Sequence, residues 1–207
     1  LPGDVEPIDI APHADAGITA YHAAKKAVQG LSPGDHAVII GIGGLGHIGV
    51  QCVDAMSAAQ ITAVDLKDSA LDLAETSGAD HVVNPTKGNV REFIDDVTDG
   101  EGAREVMDFV GADVTTEYAP DITAAGGNHH IIGYGGHIHQ PAQALVNGEF
   151  SYVGNIVGQY TELQELVALV EQGDVELHTS RYGLEEVNEV AEKLEHREID
   201  GRAAIMP

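Results

Sequence analysis

Gly41, Gly43 and Gly46 stand in the order Gly-x-Gly-x-x-Gly, and Asp65 follows nineteen residues after the last of them (65 − 46). Residues of these types at this spacing can hold a dinucleotide. Gly41 lets the chain turn tightly, and Gly43 leaves the backbone bare for a pyrophosphate. Gly46 lets a helix approach the strand before it. A helix that starts here aims unpaired N–H groups and the positive end of its dipole at the phosphates. Asp65 is placed to accept hydrogen bonds from both adenosine ribose hydroxyls. Gly44 and Leu45 complete the turn.

The flanking sequence supplies the elements that must position these residues. The β-branched run at 36–40 reads as a strand, 45–58 as the helix that follows, and 61–65 as the next strand, ending on the acid. Strand patterns recur at 81–83, 105–109 and 129–133, with helical patterns at 68–77, 89–97 and 114–124. Repeated β-α units predict an α/β fold of the Rossmann type, a doubly wound parallel sheet with helices on both faces. In such a sheet a ligand sits beyond the carboxyl ends of the strands, where strand order reverses. Ahead of the first strand, 1–12 is Pro-rich and reads as an extended lead-in, and 15–29 reads as a helix stopped near Gly30. Beyond Gly136 the pattern changes to a strand at 151–157, helices at 160–172 and 184–195, and a terminal strand over 199–206. The expected organisation is a linking segment over 1–29, a dinucleotide-binding domain over 30–158 and a carboxy-terminal segment over 159–207.

Composition narrows the function classes. The 207 residues are 43% hydrophobic but only 4% aromatic, with no Trp, so the core must be built of Ala, Val, Ile and Leu, as in covered parallel sheets. Thirty-four acids against ten bases give a net charge of −24. That sign argues against nucleic acid as a partner, and acids spread along every amphipathic segment point to a surface adapted to molar salt. No run of eighteen apolar residues is present, so no membrane partner is expected. The single cysteine, Cys52, can form neither an internal disulfide nor a Cys-x-x-Cys metal site. With no signal-like opening, the location expected is cytoplasmic. The histidines at 129, 130, 137 and 139 carry no expected metal site. The first two alternate across a strand, and the last two fall in a loop. His47 is a candidate donor to the phosphates, or alternatively a cap that merely packs.

Four ordered segments carry a family resemblance: Ala11-Pro-His-Ala-Asp15-Ala-Gly-Ile-Thr19-Ala-Tyr21-His22, the turn at 41–51, Val153-Gly-Asn-Ile-Val-Gly158, and Gly201-Arg202. The chain resembles the carboxy-terminal, NAD-binding part of the medium-chain zinc-dependent alcohol dehydrogenases, and within them the archaeal and bacterial secondary-alcohol branch. The resemblance implies that Thr19 lies against the nicotinamide and Leu45 packs under the cofactor. It implies that the backbone around Phe109–Gly111 borders the adenosine side. Gly133, Tyr134, Asn155 and Ile156 would border the nicotinamide amide, and Arg202 would pair with the pyrophosphate. Asp65 implies NAD over NADP, because a carboxylate repels the extra phosphate, and Lys67 softens that preference. Asp15 stands where many relatives place a zinc-ligating Cys and others an Asp; its other reading is a helix N-cap.

The implied reaction is hydride transfer between a primary or secondary alcohol and NAD(P), with Zn2+ as Lewis acid. Polyol or sugar dehydrogenases and zinc-free quinone reductases of the same superfamily remain open. So does a non-catalytic NAD-binding module. The family's other zinc ligands and its catalytic domain have no counterpart here, so the chain is expected to be the later part of a longer enzyme or to pair with a separate chain. It is also expected to form a homodimer or homotetramer through the strand at 151–157.

Overall fold

The computed structural model describes residues 7–196, 198–199 and 201–206. The elements run α1 (Pro7–Ile10), α2 (Ala16–Ala27), β1 (His36–Ile40), α3 (Gly46–Met56), β2 (Gln60–Val64), α4 (Asp68–Thr76), β3 (His81–Val83) and α5 (Val90–Val97). They continue with β4 (Ala103–Asp108), α6 (Asp113–Ile122), β5 (Thr123–Ile131), α7 (Ala142–Gly148), β6 (Ser151–Gly154), α8 (Tyr160–Gln172), β7 (Thr179–Gly183), α9 (Val187–Glu195) and β8 (Arg202–Met206).

Six strands form one parallel sheet in the order β3-β2-β1-β4-β5-β6. This is the doubly wound arrangement expected from the alternating pattern, and its order reverses between β1 and β4. Side chains alternate across the pleat, so one strand feeds two cores. Ala37 and Ile39 face one cluster with Ala16, Ala20, Ala23, Ala24 and Ala27 of α2, Ile48 and Cys52 of α3, and Leu166 of α8. Val38 and Ile40 face the other, with Ile94 of α5 and Ala119 and Ile122 of α6. Each fully buried Val or Ile contributes roughly 1.5–3 kcal/mol relative to exposure. The alanines of α2 let it lie close against α3. Cys52 is buried and free, and burial pushes its thiol up to about 12, as a small core residue rather than a reactive one.

Four local expectations need correction. Where it is described, the lead-in is helical rather than extended, as α1 and a 3-10 turn over Ala11–Ala14; Leu1–Glu6 lie outside the described residues. Pro7 and Pro12 sit at the starts of helical turns, where a missing N–H leaves nothing unpaired. β5 begins at Thr123, directly after α6, and its register against β4 shifts between Ala103 and Glu105. Gly126, at φ +70°, takes up the irregularity. β6 ends at Gly154, so Asn155 to Val157 form a loop beyond it. The terminal strand spans Arg202–Met206 and pairs in parallel with β7 as a separate two-stranded sheet; Asp200, which the longer expected strand included, lies outside the described residues.

The adjacent histidines of β5 point to opposite faces, as expected, and each meets an acid. His130 Nε2 lies 2.7 Å from Glu105 Oε2, and Asn128 Nδ2 donates to Glu105 Oε1 at 2.8 Å. Glu105 and both histidines are buried, and Asn128 is half-buried. Removing His130 would leave the Glu105 carboxylate without its main partner. His130→Ala is therefore expected to cost about 3 kcal/mol of stability, read as a lower denaturation midpoint at unchanged slope in a urea titration.

Candidate cofactor site

The glycine turn follows β1 directly. Gly41 has φ +87°, a conformation that favours glycine, and a Cβ there would lie 2.5 Å from Val110 Cγ2. A Cβ on Gly46 would lie 1.9 Å from the Gly41 carbonyl oxygen, so α3 starts against the strand backbone. At Gly43 a Cβ would meet nothing within 4 Å. Gly41 and Gly46 are thus required by the protein's own packing. Gly43 is not, and its open side is the cradle a pyrophosphate would fill at the α3 N-terminus. The residues present fit a dinucleotide.

Asp65 stands just past β2. Its Oδ2 accepts from the Ile42 N–H at 2.7 Å and its Oδ1 from the Lys67 N–H at 2.9 Å. The carboxylate is thus fixed beside the turn, and each oxygen keeps acceptor capacity for a ribose hydroxyl. Lys67 itself precedes α4.

β4 and β5 close the other side. Gly111, at φ +58°, packs so tightly on Gly133 that a Cβ would come 2.0 Å from the Gly133 oxygen. Buried Asp108 shapes this loop: its Oδ1 accepts from the N–H groups of Val110 at 2.9 Å and Gly111 at 2.8 Å. Burial opposes its charge. The hydrogen bonds from Val110 and Gly111, with the His129 ring 3.8 Å away, outweigh that and hold the carboxyl below its ordinary range. Sequence reading missed Asp108. Its place at the carboxyl end of a strand, before a glycine loop, was the available signal. Phe109 turns its ring into the core, where a Cβ on Gly49 would lie 2.7 Å from Phe109 Cζ. This leaves its backbone, as expected, as the part that can border the ligand.

Beyond β6, Asn155 donates through Nδ2 to the Val153 carbonyl at 2.8 Å, while its Oδ1 is buried without a partner. Such an orphaned acceptor suits an amide donor from a ligand. Ile156 and Tyr134 are 84% and 95% exposed at the same end. A Cβ on Gly158 would lie 2.7 Å from Ile18 Cγ1, which brings this loop against the first turn of α2. That turn carries Thr19, whose hydroxyl donates to the Asp15 carbonyl at 2.6 Å. Leu45 is half-buried against the core at the start of α3.

Arg202 reaches the site from the small sheet. A Cβ on Gly44 would lie 2.8 Å from Arg202 Cδ, so the guanidinium stem crosses the glycine turn. Its Nη2 donates to Asp15 Oδ2 at 3.3 Å. Asp15 occupies the N-cap position of α2, as its other reading expects, but its side chain makes no capping bond there. His47, a candidate phosphate donor from sequence, is instead buried with both ring nitrogens engaged inside the protein. Nδ1 lies 2.8 Å from the Gly43 carbonyl, and Nε2 accepts from the His178 N–H at 3.3 Å. Burial, reinforced by His178 and Arg202, lowers its basicity. A neutral ring with the proton on Nδ1 satisfies both bonds. Because the Arg202 N–H donates to the His178 carbonyl at 2.8 Å, His47 ties the glycine turn to the strand that carries Arg202.

Comparison with known proteins agrees with this fold. The model of the zinc-binding dehydrogenase family matches residues 44–172. The chain is similar to the alcohol dehydrogenase of the hyperthermophilic archaeon Aeropyrum pernix, at 43% identity and a TM-score of 0.95, over 100% of this chain and 61% of that one. It is similar to an NAD-dependent alcohol dehydrogenase of Sulfurisphaera tokodaii, at 32% identity over 97% of this chain and 58% of that protein. It also resembles an acetophenone reductase of Geotrichum candidum solved in complex with NAD, at 28% identity and a TM-score of 0.86, over 100% of this chain and 57% of that one. The chain therefore spans little more than half the length of the curated relatives it matches. With the family model matched over residues 44–172 and its fold shared over its whole length, the chain belongs to the zinc-binding dehydrogenase family.

Proposed function

We propose that this chain is the cofactor-binding portion of an NAD-dependent alcohol dehydrogenase acting on a primary or secondary alcohol or the matching carbonyl. The observation that carries the reading is the open side of Gly43, faced by the α3 N-terminus and flanked by Asp65 and Arg202. When bound, the nicotinamide supplies the hydride acceptor. The chain's own residues do the positioning. Gly41, Gly43, Gly44 and Gly46 seat the pyrophosphate on backbone N–H groups, and Arg202 adds a charge-assisted contact. Asp65 accepts the ribose hydroxyls and repels a 2′-phosphate, with Lys67 close in sequence to moderate that repulsion. Leu45, Thr19 and the backbone at Phe109, Gly133 and Tyr134 line the groove, and Asn155 and Ile156 flank the amide end.

Asp15 supports a zinc role as one donor. It is exposed, and among the described residues it belongs to no cluster of three metal ligands. The Asp15–Arg202 pair is exposed and worth at most about 1 kcal/mol, so either residue can exchange its partner cheaply. β6 is one of the two outer strands of the sheet and suits pairing between subunits. Among the described residues, no helix is long and apolar enough to cross a membrane. The charge of −24 supports a working environment of molar salt.

The test is NADH production by the full-length protein on a panel of secondary alcohols in molar KCl. Turnover with NAD, and at least tenfold less with NADP, supports the reading. NAD binding without turnover on any alcohol, polyol or sugar would leave a binding module instead. Arg202→Ala is expected to raise KM for NAD by roughly 10–100-fold, the loss of a hydrogen bond to a charged group, with stability within about 1 kcal/mol of the parent.

A further inference from the structure

Two histidines from the loop after β5 and one acid from the start of α6 come together. Asp113, His137 and His139 are all exposed, and one potential ligand atom from each lies within 4.8 Å of the others. Sequence reading set these histidines aside because the loop after β5 gave no geometry. The third group, Asp113, is twenty-four residues earlier (137 − 113) and arrives through the parallel pairing of β4 and β5.

We propose that Asp113, His137 and His139 form a binding site for one divalent cation of the zinc, nickel and copper class. Two imidazoles and one carboxylate are the donor set these ions accept, and water completes the shell. Hard ions such as Mg2+ and Ca2+ demand more oxygen donors than this cluster offers. The spacing is close to what coordination requires. Metal–ligand bonds of about 2.0–2.2 Å put neighbouring donors of a tetrahedral shell roughly 3.3–3.6 Å apart. His137 Nδ1 and Asp113 Oδ1 already stand 3.2 Å apart. His139 has only to close the remaining distance, and its ring stacks on His137 with centroids 5.7 Å apart and planes inclined by 25°.

The backbone holds the set in place without an ion. The His137 N–H donates to Asp113 Oδ1 at 2.7 Å, and the Thr116 hydroxyl donates to the His137 carbonyl at 2.7 Å. The Gly136 N–H donates to the Gly111 carbonyl at 2.6 Å. A cation here would clip the loop after β5 to the N-terminus of α6. This cluster does not include Asp15, and the proposal stands whether or not the chain serves an alcohol dehydrogenase.

The experiment uses the full-length protein, stripped with a chelator and dialysed against Zn2+ in molar KCl, where loose carboxylate binding is screened. The parent is expected to take up one equivalent more than His137→Gln/His139→Gln, with Asp113→Asn at least tenfold weaker at that equivalent. Substitution by Cu2+ should give an electron paramagnetic resonance signal with imidazole-nitrogen couplings that the double variant lacks. Equal stoichiometry and affinity in parent and double variant would overturn the proposal. So would a Cu2+ signal that survives the double substitution, or full affinity in Asp113→Asn. All three side chains are exposed, so the variants should fold, and matched circular dichroism melts check that.

Discussion

Gly43→Val is expected to abolish NAD binding while leaving the protein folded, and Gly46→Ala to do the reverse damage. The two glycines lie three positions apart in one turn, yet their surroundings differ. A Cβ on Gly43 meets nothing within 4 Å, and its φ lies outside the left-handed region. Valine at an exposed site of ordinary geometry should change stability by no more than about 0.5 kcal/mol. Its branched side chain would occupy the space a pyrophosphate needs, and affinity should fall at least about 100-fold, or roughly 2.7 kcal/mol. A Cβ on Gly46 would sit 1.9 Å from the Gly41 oxygen, far inside contact distance. No rotamer change relieves a clash of backbone with Cβ, so the turn must open, at a cost of roughly 3 kcal/mol or more. Thermal melts and NAD titrations on both variants separate the effects. A Gly43→Val protein that binds NAD like the parent would remove the turn from the cofactor site.

Dilution of salt is expected to unfold the protein. The chain carries 34 acids and 10 bases, and α9 alone exposes Glu189, Glu192 and Glu195. In molar salt the screening length is about 3 Å, so neighbouring carboxylates barely interact. At 0.1 M it grows to about 10 Å, and each exposed acid then repels several others. The folded state concentrates that charge more than the unfolded chain does, so the repulsion falls on folding stability. The melting temperature should drop by roughly 10 °C or more between molar and about 0.1 M KCl. A melting temperature that holds or rises on dialysis into dilute buffer would mean the acids are merely solubilising.

What could be read from sequence followed local chemistry. The glycine turn, the acid at the end of the second strand and the alternation of strand and helix are encoded within some thirty residues, and the sheet order follows from them by right-handed crossover. β7 escaped notice because Thr-Ser-Arg-Tyr-Gly has neither an apolar run nor an alternation, and only β8, more than twenty residues later, makes it a strand. The start of β5 was hidden in Ala-Ala-Gly-Gly, which reads as a connection. Site features that depend on distant contacts were also invisible. His47 leaves two readings open in sequence, a phosphate donor or a residue that packs, and the His178 backbone at its second nitrogen decides for packing. The Asp15–Arg202 contact joins residues 187 positions apart. The Asp113, His137 and His139 cluster needs β4 and β5 to be neighbours before its donors meet.

The most direct test of the account is calorimetric titration of the full-length protein with NAD in molar KCl. One site per chain is expected, with a Kd between about 1 μM and 1 mM, the range in which such enzymes work, and with NADP at least tenfold weaker. A folded protein that takes up no NAD at millimolar concentration would contradict the account.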